Sequence, residues 1–187
     1  SGGKKNTINF EFVKGRLKER YADYSPQTKV RFFENLYADN PTNENKYSFI
    51  SALQSNGQTE EALKLINEIL NKFPKNLILN ITKSEILLSG QRLDDAKRTI
   101  DEVLKISPDN YPASILKSKI LSAKKETIKA EEILRDLLIS KNRNPSLWMQ
   151  LSEVQRAGKN IVGYHLSRGE YFTLIGDFDN ALNQFQF

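Results

Sequence analysis

The sequence has no cysteine and only one histidine, one tryptophan and one methionine among its 187 residues. Without cysteine the chain can form no disulfide and no thiolate metal site. The single histidine, His165, leaves no partner for an H-E-x-x-H zinc motif and no convincing Ser-His-Asp set. No G-x-x-x-x-G-K-[ST] phosphate-binding loop is present either. The sequence therefore predicts no catalytic residue, no metal site and no cofactor in this chain.

Glycine, proline and long apolar runs are also scarce. There are nine glycines and six prolines, and 39% of the residues are apolar, which is enough for a sizeable core. Few alternating Val/Thr-rich runs suggest strands, so the composition predicts an all-α fold. No apolar run approaches the roughly 18 residues that a membrane span needs, so no span is predicted. The first ten residues lack the apolar core of a signal peptide, and Ser1-Gly2-Gly3 resembles a cloning remnant.

Charge of neither sign dominates. Lys and Arg number 28 against 23 Asp and Glu, which gives a net charge of +5. The two signs are interspersed, as on a solvated protein surface, rather than gathered into a basic stripe. The pattern favours a protein partner over nucleic acid. A helical-repeat RNA binder stays as the less favoured alternative.

One regular spacing organises the sequence. Three alanines, Ala62, Ala96 and Ala130, recur at a constant interval, each near the start of an apolar helical pattern. Gly57 and Gly90 precede the first two of them and are expected to end helices in a left-handed conformation. Prolines recur at nearly the same interval, at Pro41, Pro74 and Pro108. A 34-residue helix-turn-helix period is the signature of the tetratricopeptide repeat, a right-handed superhelix of stacked hairpins.

The period predicts a domain of about five to six hairpins over residues 8–187, after a tag remnant or disordered lead at 1–7. Because the markers change after Pro145, we predict an irregular end in which one hairpin has lost its second helix or the helices re-pair. The predicted helices cover 8–21 and 26–39, 43–56 and 59–73, 77–89 and 92–106, 111–123 and 126–140, then 145–157, 161–174 and a last one from about 177.

First helices line the concave face of such a solenoid, where ligands usually bind. Trp148, with Gln155 and Arg156 nearby, is the predicted anchor because Trp and Arg are common interface hot spots. The alternative is that these residues pack between helices. Counting from the alanines predicts a groove lined by Tyr47, Ser51, Ile81, Glu85, Ile115, Lys119, Trp148, Ser152, Gln155 and Arg156.

The groove positions also indicate the kind of ligand. Some tetratricopeptide domains hold a C-terminal carboxylate with Lys and Asn at fixed groove positions. Here those positions hold Tyr47 and Ser51 in one repeat and Ile81 and Glu85 in the next, which argues against a carboxylate clamp. The sequence therefore predicts an extended or partly unfolded apolar segment of a partner protein as the ligand.

The end of the chain, "GKNIVGYHLSRGEYFTLIGDFDNALNQFQF", resembles the C-terminal part of periplasmic HtpX-like zinc metalloproteases that carry tetratricopeptide repeats. The upstream "FVKGRLKERY" is similar to that family's entry into its repeats. Gly169 departs from the family pattern, which tends to have Ala. The residues that match the family's run are Tyr164, His165, Gly169, Glu170, Tyr171, Gly176, Ala181 and Gln184.

The resemblance implies a non-catalytic protein-binding module of a bacterial envelope protease, with zinc in a separate catalytic domain of the parent protein. It implies a periplasmic location and a role in recruiting substrate or docking to the outer-membrane protein assembly machinery. The expected partners are outer-membrane β-barrel proteins, their assembly machinery or the parent's own protease domain. The alternative is a free-standing tetratricopeptide scaffold or co-chaperone. The parent reading frame separates the two, because only the first has an upstream H-E-x-x-H.

Overall fold

The computed structural model describes the backbone of residues 2–187 and the side chains of residues 7–187. Over this part of the chain the regular structure consists of eleven helices. They are α1 (Gly2–Tyr21), α2 (Pro26–Asp39), α3 (Asn43–Ser55), α4 (Thr59–Lys72), α5 (Leu77–Ser89), α6 (Leu93–Ile106), α7 (Tyr111–Ala123), α8 (Thr127–Lys141), α9 (Pro145–Ala157), α10 (Ile161–Leu174) and α11 (Phe178–Phe185).

The helices form two compact units, unit 1 (Ser1–Thr99) and unit 2 (Ile100–Phe187), with the boundary inside α6. A stack of repeats makes contacts mainly between neighbours, so clustering into units is compatible with the predicted single domain, which stays a prediction. At the N-terminus, α1 begins at Gly2, so most of the lead predicted at 1–7 has a helical backbone. Ser1, assigned to a cloning remnant, lies outside the described residues.

Capping residues recur at the 34-residue interval more regularly than the prolines do. The side-chain oxygens of Thr42, Asn76, Asn110 and Asn144 each accept a hydrogen bond from a backbone N–H in the first turn of α3, α5, α7 and α9, at 3.0–3.1 Å. Each cap satisfies one of the backbone donors that a helix start leaves without a partner. The caps therefore fix where α3, α5, α7 and α9 begin.

The turn inside each hairpin also repeats, with a left-handed residue at Gly57, Gln91, Lys125 and Lys159. The prediction for Gly57 is confirmed at φ 77°, but the one for Gly90 is wrong, because Gln91 takes the left-handed position. Position 90 favours glycine because a Cβ there would overlap the side chain of Thr59. The next residue closes each turn through a backbone bond of 2.9 Å, as from Arg92 N to the Leu87 carbonyl.

The irregular end predicted after Pro145 stays a prediction, and the structure shows both regular and irregular features there. The helix α10 starts at Ile161, two full periods after Leu93 at the start of α6. Gly158 at the end of α9 meets Thr127 of α8 as Gly90 at the end of α5 meets Thr59 of α4, so α9 stacks on the preceding hairpin as α5 does. Tyr164 stands where the earlier hairpins have alanine. The turn from α10 to the eight-residue α11 has the geometry found inside the hairpins, with Gly176 in the left-handed position and Asp177 N bonded to the Phe172 carbonyl at 2.9 Å, so α10 also pairs with α11.

The alanines that mark the period lie in the core, as expected. Ala62, Ala96 and Ala130 are each 0% exposed. The Ser84 hydroxyl donates to the Ala96 carbonyl at 2.8 Å, so α5 and α6 approach closely at this position. In unit 2 a buried cluster consists of Leu121, Ala130, Leu134, Leu138, Leu147, Leu151 and Val154.

Candidate protein-binding face

The exact period corrects the predicted groove by one residue in α9. Tyr47, Ile81 and Ile115 stand one period apart, and the same step from Ile115 leads to Met149. Ser51, Glu85 and Lys119 lead in the same way to Glu153. Trp148 and Ser152 each stand one position earlier, which turns a side chain by about 100° around the helix. We call these corrected positions the first-helix face. Its residues are Tyr47, Ser51, Ile81 and Glu85 in unit 1, and Ile115, Lys119, Met149 and Glu153 in unit 2.

Tyr47 in unit 1 is enclosed rather than exposed. Its side chain is 0% exposed, its hydroxyl makes a hydrogen bond with Thr82 Oγ1, and its ring lies 5.3 Å from the ring of Phe12. Burial raises the pKa of the Tyr47 hydroxyl above its ordinary value. Ser51 and Ile81 are also buried, at 6% and 8% exposure. The predicted placement of these three side chains in an open groove is therefore corrected, because other side chains already cover them.

The helix α1 is the element that covers Tyr47. Phe12 of α1 packs on Tyr47 and, with ring centroids 6.4 Å apart, on Phe73 at the end of α4. One turn further along α1, Arg16 forms an ion pair with Glu85. One turn before Phe12, Asn9 accepts a hydrogen bond of 2.7 Å from Asn76, the cap of α5.

Contacts with α3 complete the interface of α1. Lys14 and Lys18 both form ion pairs with Glu44, the former at 3.1 Å. Burial alone would raise the pKa of Glu44, but hydrogen bonds from Lys18 and Lys14 lower it below its ordinary value. A Cβ added to Gly15 would lie 2.5 Å from the Glu44 carbonyl oxygen, and the Ser48 hydroxyl donates to the Gly15 carbonyl at 2.9 Å. The helix α1 therefore lies directly on α3 and reaches α5.

In unit 2 the first-helix face is more open. Lys119 is exposed and the Glu153 side chain is 46% exposed, whereas Ile115 and Met149 are half-buried. Arg168 of α10 donates to the Met149 sulfur at 2.8 Å and lies 4.0 Å from the Glu153 carboxylate. The face thus presents two apolar side chains beside one basic and one acidic position. Met149 and Glu153 were missed because the altered markers after Pro145 hid the register.

Trp148 belongs to the packing of unit 2 rather than to this open face. Its ring packs against the buried cluster around Leu147 and Leu151. Its indole Nε1 donates to the Asn142 carbonyl at 2.6 Å, which ties α9 to the end of α8. The role of Trp148 as a binding anchor stays a prediction, but the alternative that it packs between helices has these contacts in its favour.

The other residues predicted in α9 are also of two kinds, buried and exposed. Ser152 and Gln155 are buried, at 0% and 1% exposure, which corrects their placement in an open groove. The Gln155 amide donates to Glu131 at 3.0 Å. Arg156 is exposed and pairs with Glu153 at 2.7 Å, so it remains available beside the first-helix face.

A second concavity in unit 2 was not predicted. It has a volume of about 550 Å³ and lies between α7 and α8, where Tyr111, Ile133, Asp136 and Lys141 contribute to its wall. The Lys141 ammonium stands 5.3 Å from the centre of the Tyr111 ring. Its wall is formed by the start of α7 and the second half of α8, where no site was predicted from the sequence.

Comparison with known proteins agrees with the repeat assignment. The tetratricopeptide repeat family profile matches residues 53–106, from the end of α3 through α6. The fold is similar to a thermophilic tetratricopeptide protein of Thermus thermophilus, with 17% identity, a TM-score of 0.67 and coverage of 84% of this chain and 87% of that one. A tetratricopeptide protein of Parabacteroides merdae is 15% identical, with a TM-score of 0.64 and coverage of 96% and 76%.

YrrB, described as a tetratricopeptide protein with an unusual peptide-binding site, is similar at 11% identity and a TM-score of 0.62, with coverage of 96% and 90%. A search of curated proteins gives no significant match. The predicted fold class, an all-α tetratricopeptide-repeat fold, is confirmed. Domains of this class present binding surfaces to proteins and peptides.

Two searches of the described residues gave negative results. None of the helices there has the length and apolar character needed to cross a lipid bilayer. No group of three or more His, Cys, Asp or Glu side chains in this part of the chain is arranged to hold a metal ion.

Proposed function

We propose that this chain is a non-catalytic protein-binding module and that the first-helix face of unit 2 is its site for partners. The observation that carries the proposal is the exposure of Lys119 and Glu153 beside the half-buried Ile115 and Met149. Apolar side chains flanked by charges of both signs suit a protein segment that offers side chains. They do not suit a phosphate backbone, which would select basic residues alone.

The finer proposal follows from the resemblance of the C-terminal part to HtpX-like zinc metalloproteases. The module would belong to a bacterial envelope protease such as the β-barrel assembly-enhancing protease, would act in the periplasm, and would recruit outer-membrane proteins or dock to their assembly machinery. The catalytic zinc would lie in another domain of that parent. Gly176 after the end of α10 and Ala181 in α11 stand where the family pattern has Gly and Ala, and this match of sequence supports the proposal.

Site-specific photo-crosslinking in a Gram-negative host tests both levels. A photoreactive residue replaces Lys119 on the first-helix face, and in a matched control it replaces Lys129, an exposed lysine on α8. We expect adducts from position 119 and few from position 129, with outer-membrane proteins or assembly components among them. Equal adducts from both positions would contradict the site. Specific adducts with cytoplasmic proteins only would contradict the envelope assignment and favour a free-standing scaffold.

A further inference from the structure

The N-terminal helix α1 covers the first-helix face of unit 1 at two of its positions. Phe12 encloses Tyr47, and Arg16 pairs with Glu85. The corresponding residues in unit 2 are more open: Ile115 and Met149, which match Tyr47, are half-buried, and Lys119 and Glu153, which match Glu85, are exposed. A face of the kind that binds partners in this class of protein therefore already holds a helix, and that helix comes from the same chain.

We propose that α1 is an intramolecular stand-in for a partner helix, and that the first-helix face of unit 1 binds amphipathic helices of other proteins once α1 has moved away. The proposal rests on the protein-binding function proposed above but concerns a different site. It also changes the class of ligand, from the extended segment expected from the sequence to a helix laid into a groove.

The interface of α1 defines the chemistry of the partner helix. An aromatic side chain must fill the place between Tyr47 and Phe73. A basic side chain must follow one helical turn later, on the same side of the helix, to reach Glu85 as Arg16 does. A small residue must stand just before it, because the position of Gly15 has no room for a Cβ beside the Glu44 carbonyl.

The contacts that hold α1 on unit 1 are of a kind that a helix of another protein can replace. Among its described apolar side chains only Phe12 is fully buried. The ion pairs of Lys14, Lys18 and Arg16 lie at partly exposed positions, where such pairs contribute little to stability. The opposite side of α1 leaves four large apolar side chains exposed: Phe10 at 66%, Val13 at 46%, Leu17 at 45% and Tyr21 at 79%.

Because α1 competes from within the chain, a partner helix binds with an affinity reduced by the fraction of molecules in which the face is free. Weakening α1 should therefore strengthen the binding of a helix supplied separately. The probe is a fluorescent peptide with the sequence of residues 7–24, measured by fluorescence anisotropy against the full chain. Arg16→Glu in the chain places two carboxylates together at Glu85 and loosens α1. Arg20→Glu, the same change at an exposed position one turn later, is the matched control.

We expect the peptide to bind the Arg16→Glu chain at least tenfold more tightly than the wild-type or Arg20→Glu chains. Adding Glu85→Arg to the Arg16→Glu chain restores the internal ion pair and should remove this gain. A peptide carrying Phe12→Ala should bind none of the chains. Circular dichroism melting of each variant establishes that unit 1 stays folded, and the covalent lock described next tests the proposal if Arg16→Glu alone is unstable.

A covalent lock gives an independent test, since the chain has no cysteine of its own. Lys14→Cys and Glu44→Cys, bridged by a short bis-maleimide, hold α1 on α3, and the unbridged double variant is the control. Peptide binding should survive in the unbridged chain and disappear in the bridged one.

The proposal is overturned if Arg16→Glu changes the peptide affinity by less than twofold, or if the bridged chain binds as well as the unbridged one. It is also overturned if the Arg16→Glu chain dimerises in sedimentation instead, because the occupant is then a second copy of α1. Each of these failures leaves the crosslinking result at Lys119 untouched.

Discussion

Trp148 is a residue for which the sequence and the structure indicate different roles. From the sequence it was the anchor of a groove, whereas its contacts place it against the buried cluster of unit 2, with its indole N–H on the Asn142 carbonyl. The predicted repeat position in α9 was wrong by one residue. Met149, not Trp148, holds the position that Tyr47, Ile81 and Ile115 hold in the earlier repeats. Hot-spot residue types therefore identify a binding site only once the helix phase is known.

For Trp148→Ala we expect a loss of stability rather than a selective loss of binding. Removing a half-buried indole that packs on the core and satisfies a carbonyl should cost about 2–3 kcal/mol. The measurement is the urea midpoint of the purified chain, with Ile128→Ala, a change at an exposed apolar position on α8, as the control. A normal midpoint together with weakened partner binding would restore the anchor interpretation.

The left-handed turn residues offer a second test at the scale of single residues. Lys125 has φ 63°, whereas the adjacent Lys124 has φ −76°. A side chain in the left-handed region is costly and glycine is not, so Lys125→Gly should raise the free energy of unfolding by about 0.5–1 kcal/mol. Lys124→Gly should give no gain or a small loss. Equal effects of the two changes in chemical denaturation would mean that the backbone conformation at Lys125 carries no strain.

Between helices, the close approach at Ala96 tests the repeat register. Ala96 is fully buried and receives the Ser84 hydroxyl at its carbonyl, so a larger side chain must push α5 and α6 apart. Ala96→Leu should cost roughly 1–3 kcal/mol, whereas Arg98→Leu, on the exposed side of the same helix, should cost far less. Thermal melting that shows no loss for Ala96→Leu would remove Ala96 from the helix–helix contact.

The packing of α11 on α10 depends on the absence of a side chain at Gly169. A Cβ on Gly169 would overlap the ring of Phe185 from α11. Gly169→Ala should therefore release α11, which hydrogen exchange would detect as faster exchange of the amides of residues 178–185 with little change in the rest of unit 2. In a Phe185→Ala background the same change should have little further effect, because the clash is gone. Additive effects of the two substitutions would show that Gly169 is needed for another reason.

At the scale of the whole chain, composition makes a prediction about chemistry. With one histidine and no cysteine, the purified chain should cleave no casein and retain no stoichiometric zinc after dialysis. Treatment with EDTA should leave its melting temperature unchanged, because the proposed module needs no metal to fold. Tight binding of one zinc per chain, or zinc-dependent cleavage by the pure chain, would contradict the non-catalytic proposal.

The repeat class and most helix bounds could be predicted because they depend on local signals that recur. The bounds of α10 were predicted too, but its pairing with α9 was not, because Tyr164 replaces the alanine that marks the second helix of the other three hairpins. The exposure of the predicted groove residues could not be predicted either. Whether Tyr47 is open or enclosed depends on Phe12, which lies two helices earlier in the chain and belongs to no recurring position. Contacts made once in the chain leave no periodic trace in the sequence.

The recurring turns bear on how the chain can have changed during evolution. Among the four turns inside the hairpins from α3 to α10, glycine holds the left-handed position in the first and Gln91, Lys125 and Lys159 hold it in the others, yet these four turns are evenly spaced along the chain. One inserted residue within a helix would rotate every later side chain of that helix by about 100° and turn its core positions outward. A residue other than glycine at the left-handed position of these turns adds only a little backbone strain. Duplicated copies of the hairpin could therefore diverge in composition while insertions and deletions inside them were eliminated.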